Sequence, residues 1–359
     1  MKIGLIGLPG SGKSTLLRLL TRGQAGGPGK ARIGAAPVPD SRVDQLSAIF
    51  QPRRTVYAQL ECTELPGLTP AKHAPGGGNQ AARELAEALR PLEAIVQVVR
   101  AFEAPHVPHP LGSVDPLRDA QLLWEEFLLM DWSLVETRLE RLAEARKKGL
   151  RHDEEVRLFE RMRPHLEAGR PVRSMDFSPG ERALLKPYSF LTAKPVAIAV
   201  NVDDDQLRAG TYAGREELSA WASEQEAPLV EVAALIEAEI EELPPEERAE
   251  FLEDIGLAEP GIARLARSAY EALDLISFFT VGSDEVRAWT VRRGATAREA
   301  AGVIHSDIER GFIRAEVACF DDVVREGSLT ALKEKGLLRI EGKDYLIQDG
   351  EIVHFRFNV

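Results

Sequence analysis

The sequence predicts an α/β protein with a helical insert and a small α+β module at its C-terminus. Strand-like and helix-like segments alternate through residues 1–110, which implies a parallel, doubly wound sheet. A long run of apolar residues at three- and four-residue steps follows Asp115. Beyond Phe278 the pattern turns to short alternating strands around one helix.

In the first part, Lys2–Ile6, Val56–Thr63 and Ala94–Val99 read as strands, with helices at Lys13–Leu20 and Gln80–Leu89. Val196–Val200 is apolar and mostly β-branched, as a strand buried on both faces should be. Leu122, Leu123, Phe127, Met130, Leu134, Val135, Leu139 and Leu142 form one helical stripe with Glu and Arg between them. Arg146-Lys147-Lys148-Gly149 closes that helix with positive charge and a terminating glycine, and His152–His165 returns as a second. Residues 206–275 read as helical and acidic. Val286–Val291 and Ile352–Phe357 alternate as strands, with a helix at Ala297–Arg310. Tyr345–Gln348 alternates too, and Asp349-Gly350 after it signals a hairpin. The expected domains are 1–114 and 181–277 as one α/β body, 115–180 as the inserted hairpin, and 278–359 as the terminal module.

Residues 7–14 read Gly-Leu-Pro-Gly-Ser-Gly-Lys-Ser between the first strand and first helix. This is G-x-x-x-x-G-K-[ST] in the strand–loop–helix setting that gives it meaning. Glycines let the backbone approach phosphate oxygens, and the helix behind begins with free N–H groups and a positive dipole end. Pro9, Gly10, Ser11, Gly12, Lys13, Ser14 and Thr15 are the candidate phosphate-binding residues. Lys13 reaches the outer phosphates as a candidate catalytic group, and the Ser14 hydroxyl is a candidate Mg²⁺ ligand. The glycine spacing is G-x-x-G-x-G, which disfavours a dinucleotide fold. The expected ligand is a nucleoside triphosphate or diphosphate.

The 359 residues are 44% hydrophobic and 28% charged, the balance of a soluble globular protein. No apolar stretch approaches the roughly 20 residues that span a bilayer. The apolar start runs straight into the glycine loop and leaves no room for a signal peptide. Cys62 and Cys319 lie far apart without metal-ligand spacing, so disulfides and zinc are not expected, and the expected compartment is the cytoplasm. A net charge of −12 argues against charge-driven nucleic-acid binding over the whole surface. Residues 278–359 hold 12 Lys/Arg and 14 Asp/Glu, so most of the negative charge lies elsewhere.

The loop at Gly7–Thr15, the stretch Asp115–Asp119 and Glu285–Thr290 resemble the YchF/Obg-like ATPases. So do Gly302–Asp307, Gly311–Val317 and the ending His354–Val359. The resemblance covers nearly the whole chain and is densest after Phe278. It implies a P-loop NTPase G domain with an inserted α-helical coiled-coil hairpin and a C-terminal β-grasp (TGS-like) domain. It further implies hydrolysis of ATP in preference to GTP, and association with the ribosome or with stress-response pathways; the expected protein is a monomer and a slow ATPase that acts as a ribosome-associated regulatory switch. Contact with ribosomal RNA or protein would run through the hairpin and the C-terminal domain, where Arg287, Arg292, Arg293, Arg298, Arg310 and Arg314 are candidates for RNA contact.

Several motifs depart from the family's pattern. Where the family has D-x-x-G, this chain has Glu64-Leu65-Pro66-Gly67; Glu64 is the candidate metal ligand and Gly67 a candidate γ-phosphate donor. Leu68 stands where related GTPases carry a water-orienting Gln, so His73 is a candidate water-positioning catalytic residue. Residues 22–37, which follow the first helix, contain no Ser or Thr but five glycines and two prolines, and are expected to be flexible. The base-reading motif is Asn201-Val202-Asp203-Asp204, with Ala233-Ala234-Leu235 in the place of the base-stacking loop. Asn201, Val202, Asp204 and Ala234 are therefore candidate nucleotide-binding residues. Asp204 stands where guanine's partner would be, which leaves ATP and GTP both open. The glutamate at 64 and the stripped segment also leave open a nucleotide-binding adaptor with little or no hydrolysis.

Overall fold

Every residue of Lys2–Ile6 (β1) after the first is buried, and the computed structural model of the protein sets this strand inside a six-stranded sheet. The structure describes residues 1–26, 32–68 and 78–358. By contacts the chain divides into two units, Met1–Gly34 with Glu61–Leu265, and Ala35–Leu60 with Ala266–Val359.

In the first unit β1 is followed by α1 (Lys13–Leu20). Arg32–Pro37 (β2) is the edge strand, so the latter part of the segment expected to be flexible is regular structure. The stretch expected as one strand at 56–63 is two, Arg54–Val56 (β3) and Gln59–Glu64 (β4). Ala94–Arg100 (β5), Val196–Asn201 (β6) and Leu229–Val232 (β7) complete the sheet in the order β2-β4-β1-β5-β6-β7. The pairings of β1 with β4 and β5, of β5 with β6, and of β6 with β7 are all parallel. β5 and β6 are buried at every residue, as their apolar composition requires between two helical layers.

Pro116–Lys147 is a helix of 32 residues, about 48 Å long. The Asp115 carboxylate accepts from the Arg118 N–H at its start, and Gly149 at φ +82° follows its end. Asp153–Glu167 returns antiparallel to it with three acidic residues in its first turn, where the helix dipole favours them. Phe127, Val135, Leu158, Phe159 and Met162 join the pair into one buried cluster with Leu89, Leu92 and Ile95. Two buried carboxylates pin the pair further. Asp131 accepts from the Leu191 N–H (2.8 Å), the Thr192 N–H (2.8 Å) and the Thr192 hydroxyl (2.6 Å). Glu155 takes Arg138 in a two-pronged ion pair at 2.7 and 2.8 Å.

The second unit is a six-stranded sheet that also contains β3. Leu275–Val281 (β8), Glu285–Arg292 (β9), Phe312–Ala318 (β10), Arg339–Glu341 (β11) and Ile352–Phe357 (β12) run β11-β10-β12-β8-β9-β3. β3 pairs parallel to β9, with an Arg54–Glu285 ion pair along the register. Ser41–Phe50, a helix from the same early segment, carries Arg42 over the Phe279 ring at 5.1 Å. The hairpin expected at Asp349-Gly350 does not form, since residues 345–348 are not a strand. The Asp349 carboxylate instead accepts from the Ser277 N–H at 2.9 Å and pairs with Arg42 at 2.8 Å. Those donors, and the pairing of the 352–357 flank with β10 and β8, outweigh a local turn. The helix expected at 297–310 breaks at His305, which is extended and whose Nδ1 accepts from the Asp307 N–H.

Candidate functional site

The phosphate loop lies between β1 and α1, and glycines set its shape at two positions. Gly12 has φ +99°, and a Cβ there would stand 2.1 Å from Asn201 Nδ2. Gly7 packs so closely on β5 that a Cβ would meet the Val98 carbonyl oxygen at 2.3 Å. Gly12 offers no capping side chain, so the N–H groups of Lys13, Ser14 and Thr15 open the helix without an intrahelical acceptor. Gly10 lies at φ +76° and Ser11 is buried, its Oγ without a partner among the described residues.

Lys13 is folded back over this loop. Its Nζ donates to the Gly7 carbonyl at 3.1 Å and the Leu8 carbonyl at 3.0 Å. Burial pulls its pKa down to about 8, against the opposing pull of Glu64. The parallel register sets Leu5 of β1 beside Glu64 of β4, which brings the Glu64 carboxylate to the first turn of α1. Ser14 Oγ donates to Glu64 Oε1 at 2.5 Å, and the Arg32 guanidinium lies 3.9 Å from Oε2. Lys13, Ser14, Arg32, Glu64, Leu65, Pro66 and Gly67 line a cleft of about 220 Å³.

Glu64 and Gly67 thus come together with the loop, and a Cβ on Gly67 would touch Pro9 at 3.0 Å. Leu68 is buried in the core with Ile6 and Leu8, so no polar side chain stands at the position of a water-orienting Gln. His73 lies outside the described residues. Asn201 is buried and both ends of its amide are engaged: Nδ2 donates to the Ser11 carbonyl and Oδ1 accepts from the Ala234 N–H, each at 3.1 Å. It clasps the phosphate loop to the start of the helix at Ala234–Glu242. The Val202 side chain is in the core, and its N–H donates to Val232. Asp203 caps the helix at Asp204–Ala209 together with Gln206, and Asp204 is that helix's first residue. Among the described residues the Asp204 carboxylate has no hydrogen-bond or ionic partner.

Two features were not foreseen. Arg32 enters the cleft because β2 is ordered, and a Gly-rich, weakly strand-forming segment gave no sign of that register. The segment after β5 is held by Arg100, which donates to the Phe102 and Val107 carbonyls at 2.9 and 2.8 Å. It packs on the phosphate loop, where a Cβ on Gly10 would meet Val107 at 3.0 Å. Its signal was the Arg that ends a strand otherwise apolar except for Gln97.

A parallel sheet with the glycine loop, buried lysine and Ser–carboxylate pair at the C-terminal ends of its strands defines a P-loop nucleotide-binding protein of the G-domain class. The family model YchF-GTPase_C, described as a protein of unknown function (DUF933), matches residues 275–358. The chain is 40% identical over 366 residues to the ribosome-binding ATPase YchF of Haemophilus ducreyi, covering all of this chain and 99% of that one. It is 35% identical over 373 residues to Obg-like ATPase 1 of Oryza sativa subsp. japonica, covering all of this chain and 92% of that one. The solved structure of the Schizosaccharomyces pombe YchF GTPase superposes with a TM-score of 0.84 at 30% identity, over 99% of this chain and 97% of that one. The chain belongs to the YchF/Obg-like ATPase family. The fold class expected from the sequence, a G domain with a helical hairpin and a TGS-like C-terminal domain, is the fold of this protein.

Proposed function

We propose that this chain binds ATP in the Lys13–Ser14–Glu64 cleft, hydrolyses it slowly to ADP and phosphate, and engages the ribosome in the cytoplasm as a monomer in a nucleotide-dependent way. The observation that carries the reading is the Ser14–Glu64 pair beside the buried Lys13. A hydroxyl and a carboxylate are the hard oxygen donors that Mg²⁺ takes alongside phosphate oxygens and waters. Ser14 and Glu64 would hold the ion between the loop and the strand end. Bound there, Mg²⁺ would neutralise charge on the β- and γ-phosphate oxygens. Lys13 gives up the Gly7 and Leu8 carbonyls for phosphate oxygens, and the loop's N–H groups orient the chain of phosphates. The names of the relatives support ATP as the substrate.

Leu68 in the core supports slow turnover, because nothing at that position orients the attacking water, and it also favours the second reading of an adaptor that does not hydrolyse. Single-turnover hydrolysis with and without ribosomes separates the two. Phosphate release that Lys13→Ala removes is the expected result; ATP recovered unchanged after hours leaves the adaptor. Asp204, at the motif position of a guanine-reading carboxylate, keeps GTP open as the alternative, and competition among ATP, ADP, GTP and GDP with and without Mg²⁺ tests the preference for adenine.

Charge supports the hairpin tip as the ribosome contact. Lower on the two helices, Arg138, Arg161 and Arg163 are each paired with a carboxylate. At the tip, residues 145–152 carry Arg146, Lys147, Lys148 and Arg151 with no carboxylate among them. None of the four has an ionic partner among the described residues, and Leu150 beside them is exposed. In the C-terminal unit, by contrast, Arg287, Arg293, Arg310 and Arg314 all lie within 4 Å of a carboxylate oxygen. Replacing Arg146, Lys147 and Lys148 together by Glu is expected to weaken co-sedimentation with ribosomes at least about tenfold, with a shallower salt dependence. Unchanged binding would move the contact to the C-terminal unit.

A further inference from the structure

Residues 22–31, between α1 and β2, contain no Ser or Thr, and the Thr21 hydroxyl ahead of them donates back to the Leu17 carbonyl, yet β2 delivers a different group to the cleft. Arg32 is the first residue of the strand, and its side chain lines the phosphate cleft with Lys13, Ser14 and Gly67. Its guanidinium stands 3.9 Å from Glu64 Oε2, while the other oxygen of that carboxylate holds the Ser14 hydroxyl. One carboxylate therefore links two groups that a phosphate chain and its metal would compete for. The Arg32 side chain is half-exposed and has no second acidic partner among the described residues. A planar guanidinium suits the oxygens of a phosphoryl group, with two parallel hydrogen bonds to one dianionic end.

We propose that Arg32 reads the γ-phosphate: it exchanges the distant Glu64 oxygen for the terminal phosphoryl group of a bound nucleoside triphosphate. The exchange releases Glu64 Oε2 from Arg32, so arrival of the third phosphate is coupled to loss of the Arg32–Glu64 contact. A diphosphate, ending one phosphoryl group short, leaves that contact in place. This role rests on the reading that the cleft binds a nucleoside triphosphate, and it belongs to a side chain at the edge of the sheet whose loss removes no core contact.

The test uses the full-length protein with Arg32→Ala and Arg32→Lys. Equilibrium binding is measured with a fluorescent non-hydrolysable ATP analogue and with fluorescent ADP, both with Mg²⁺. The alanine variant is expected to bind the triphosphate at least about tenfold more weakly, the loss of one charge-assisted contact. Its ADP affinity is expected to stay within about twofold, and lysine to restore part of the difference because it keeps the charge without the planar fork. Equal losses for triphosphate and diphosphate, or no loss for either, overturn the role of Arg32 while nucleotide binding itself stands. A wild-type protein that binds neither nucleotide overturns the nucleotide site and this proposal together.

Discussion

Replacing Lys13 by Met is expected to raise the melting temperature of the nucleotide-free protein while weakening nucleotide binding about a hundredfold. The ammonium group is buried, and its only hydrogen bonds in the described structure go to the Gly7 and Leu8 carbonyls. Burial holds its pKa near 8, well below the ordinary 10.5. That difference corresponds to about 3 kcal/mol of penalty on the charged form. Losing two hydrogen bonds, each about 1 kcal/mol net, leaves a gain of about 1 kcal/mol for an apolar side chain of similar length. For a unit of this size that is about 2–4 °C. The sign can be checked through pH. Between about 8 and 10.5 the unfolded chain keeps this proton and the folded chain has lost it, so the wild-type protein gains stability as pH rises through that window. The advantage of the Met variant should therefore be largest at pH 7 and shrink towards pH 10.5. A Met variant no more stable than wild type at pH 7, or an advantage that persists undiminished to pH 10.5, would contradict the account. The phosphate loop is then a place where the fold holds a charge for a ligand at a cost to its own stability.

The second large effect is structural. Asp131→Ala is expected to lower stability by about 3–4 kcal/mol, read as a fall in the denaturant midpoint at unchanged slope. The carboxylate is buried on the long hairpin helix and accepts two backbone N–H groups and one hydroxyl from Leu191 and Thr192, just ahead of β6. The burial pushes its pKa up to about 6 even against those three donors. Alanine leaves the N–H groups of Leu191 and Thr192, both on buried residues, without their acceptor. Asp131→Asn should recover only part of the loss, because one side of an amide accepts while the other donates into donors. A midpoint within a few tenths of a molar of wild type for the alanine variant would show that the clasp contributes little. Since β6 ends in Asn201, which clasps the phosphate loop, loosening of this joint should also show as weaker nucleotide binding.

How far the chain could be read beforehand differs from one element to the next. β1 and α1 have the bounds that composition and capping give them, because each is set by its own residues and by the glycines between them. The long helix was legible in the same way from its apolar stripe and from Gly149 at its end, while the cap at Asp115 emerges from the structure. The single strand expected at 56–63 failed because Arg54–Val56 pairs with β9, more than two hundred residues away, and no local signal encodes such a partner. The hairpin at Asp349-Gly350 failed for a related reason. A turn dipeptide proposes a local partner, and here Ser277 and Arg42 offered the Asp349 carboxylate better ones. Among the site residues, Lys13, Ser14, Glu64 and Gly67 were found by motif spacing, and the structure gathers them around one cleft. Asn201 was found by motif as well, but its engagement on Ser11 and Ala234 emerges only when β6 is laid beside β5.

The sequence by itself therefore determined the phosphate loop, the family, the helical hairpin and the presence of a separate C-terminal module. Each of these is written in residues close together in the chain, where steric and capping preferences act without help from distant segments. Only the tertiary structure decided that residues 35–60 group with the C-terminal unit, that Asn201 is a clasp, and that Arg32 lines the cleft beside Lys13 and Glu64. Those outcomes depend on strand register and on which buried donor meets which acceptor. Both are settled by pairing between segments far apart in sequence, and a short glycine-rich stretch carries almost no trace of them.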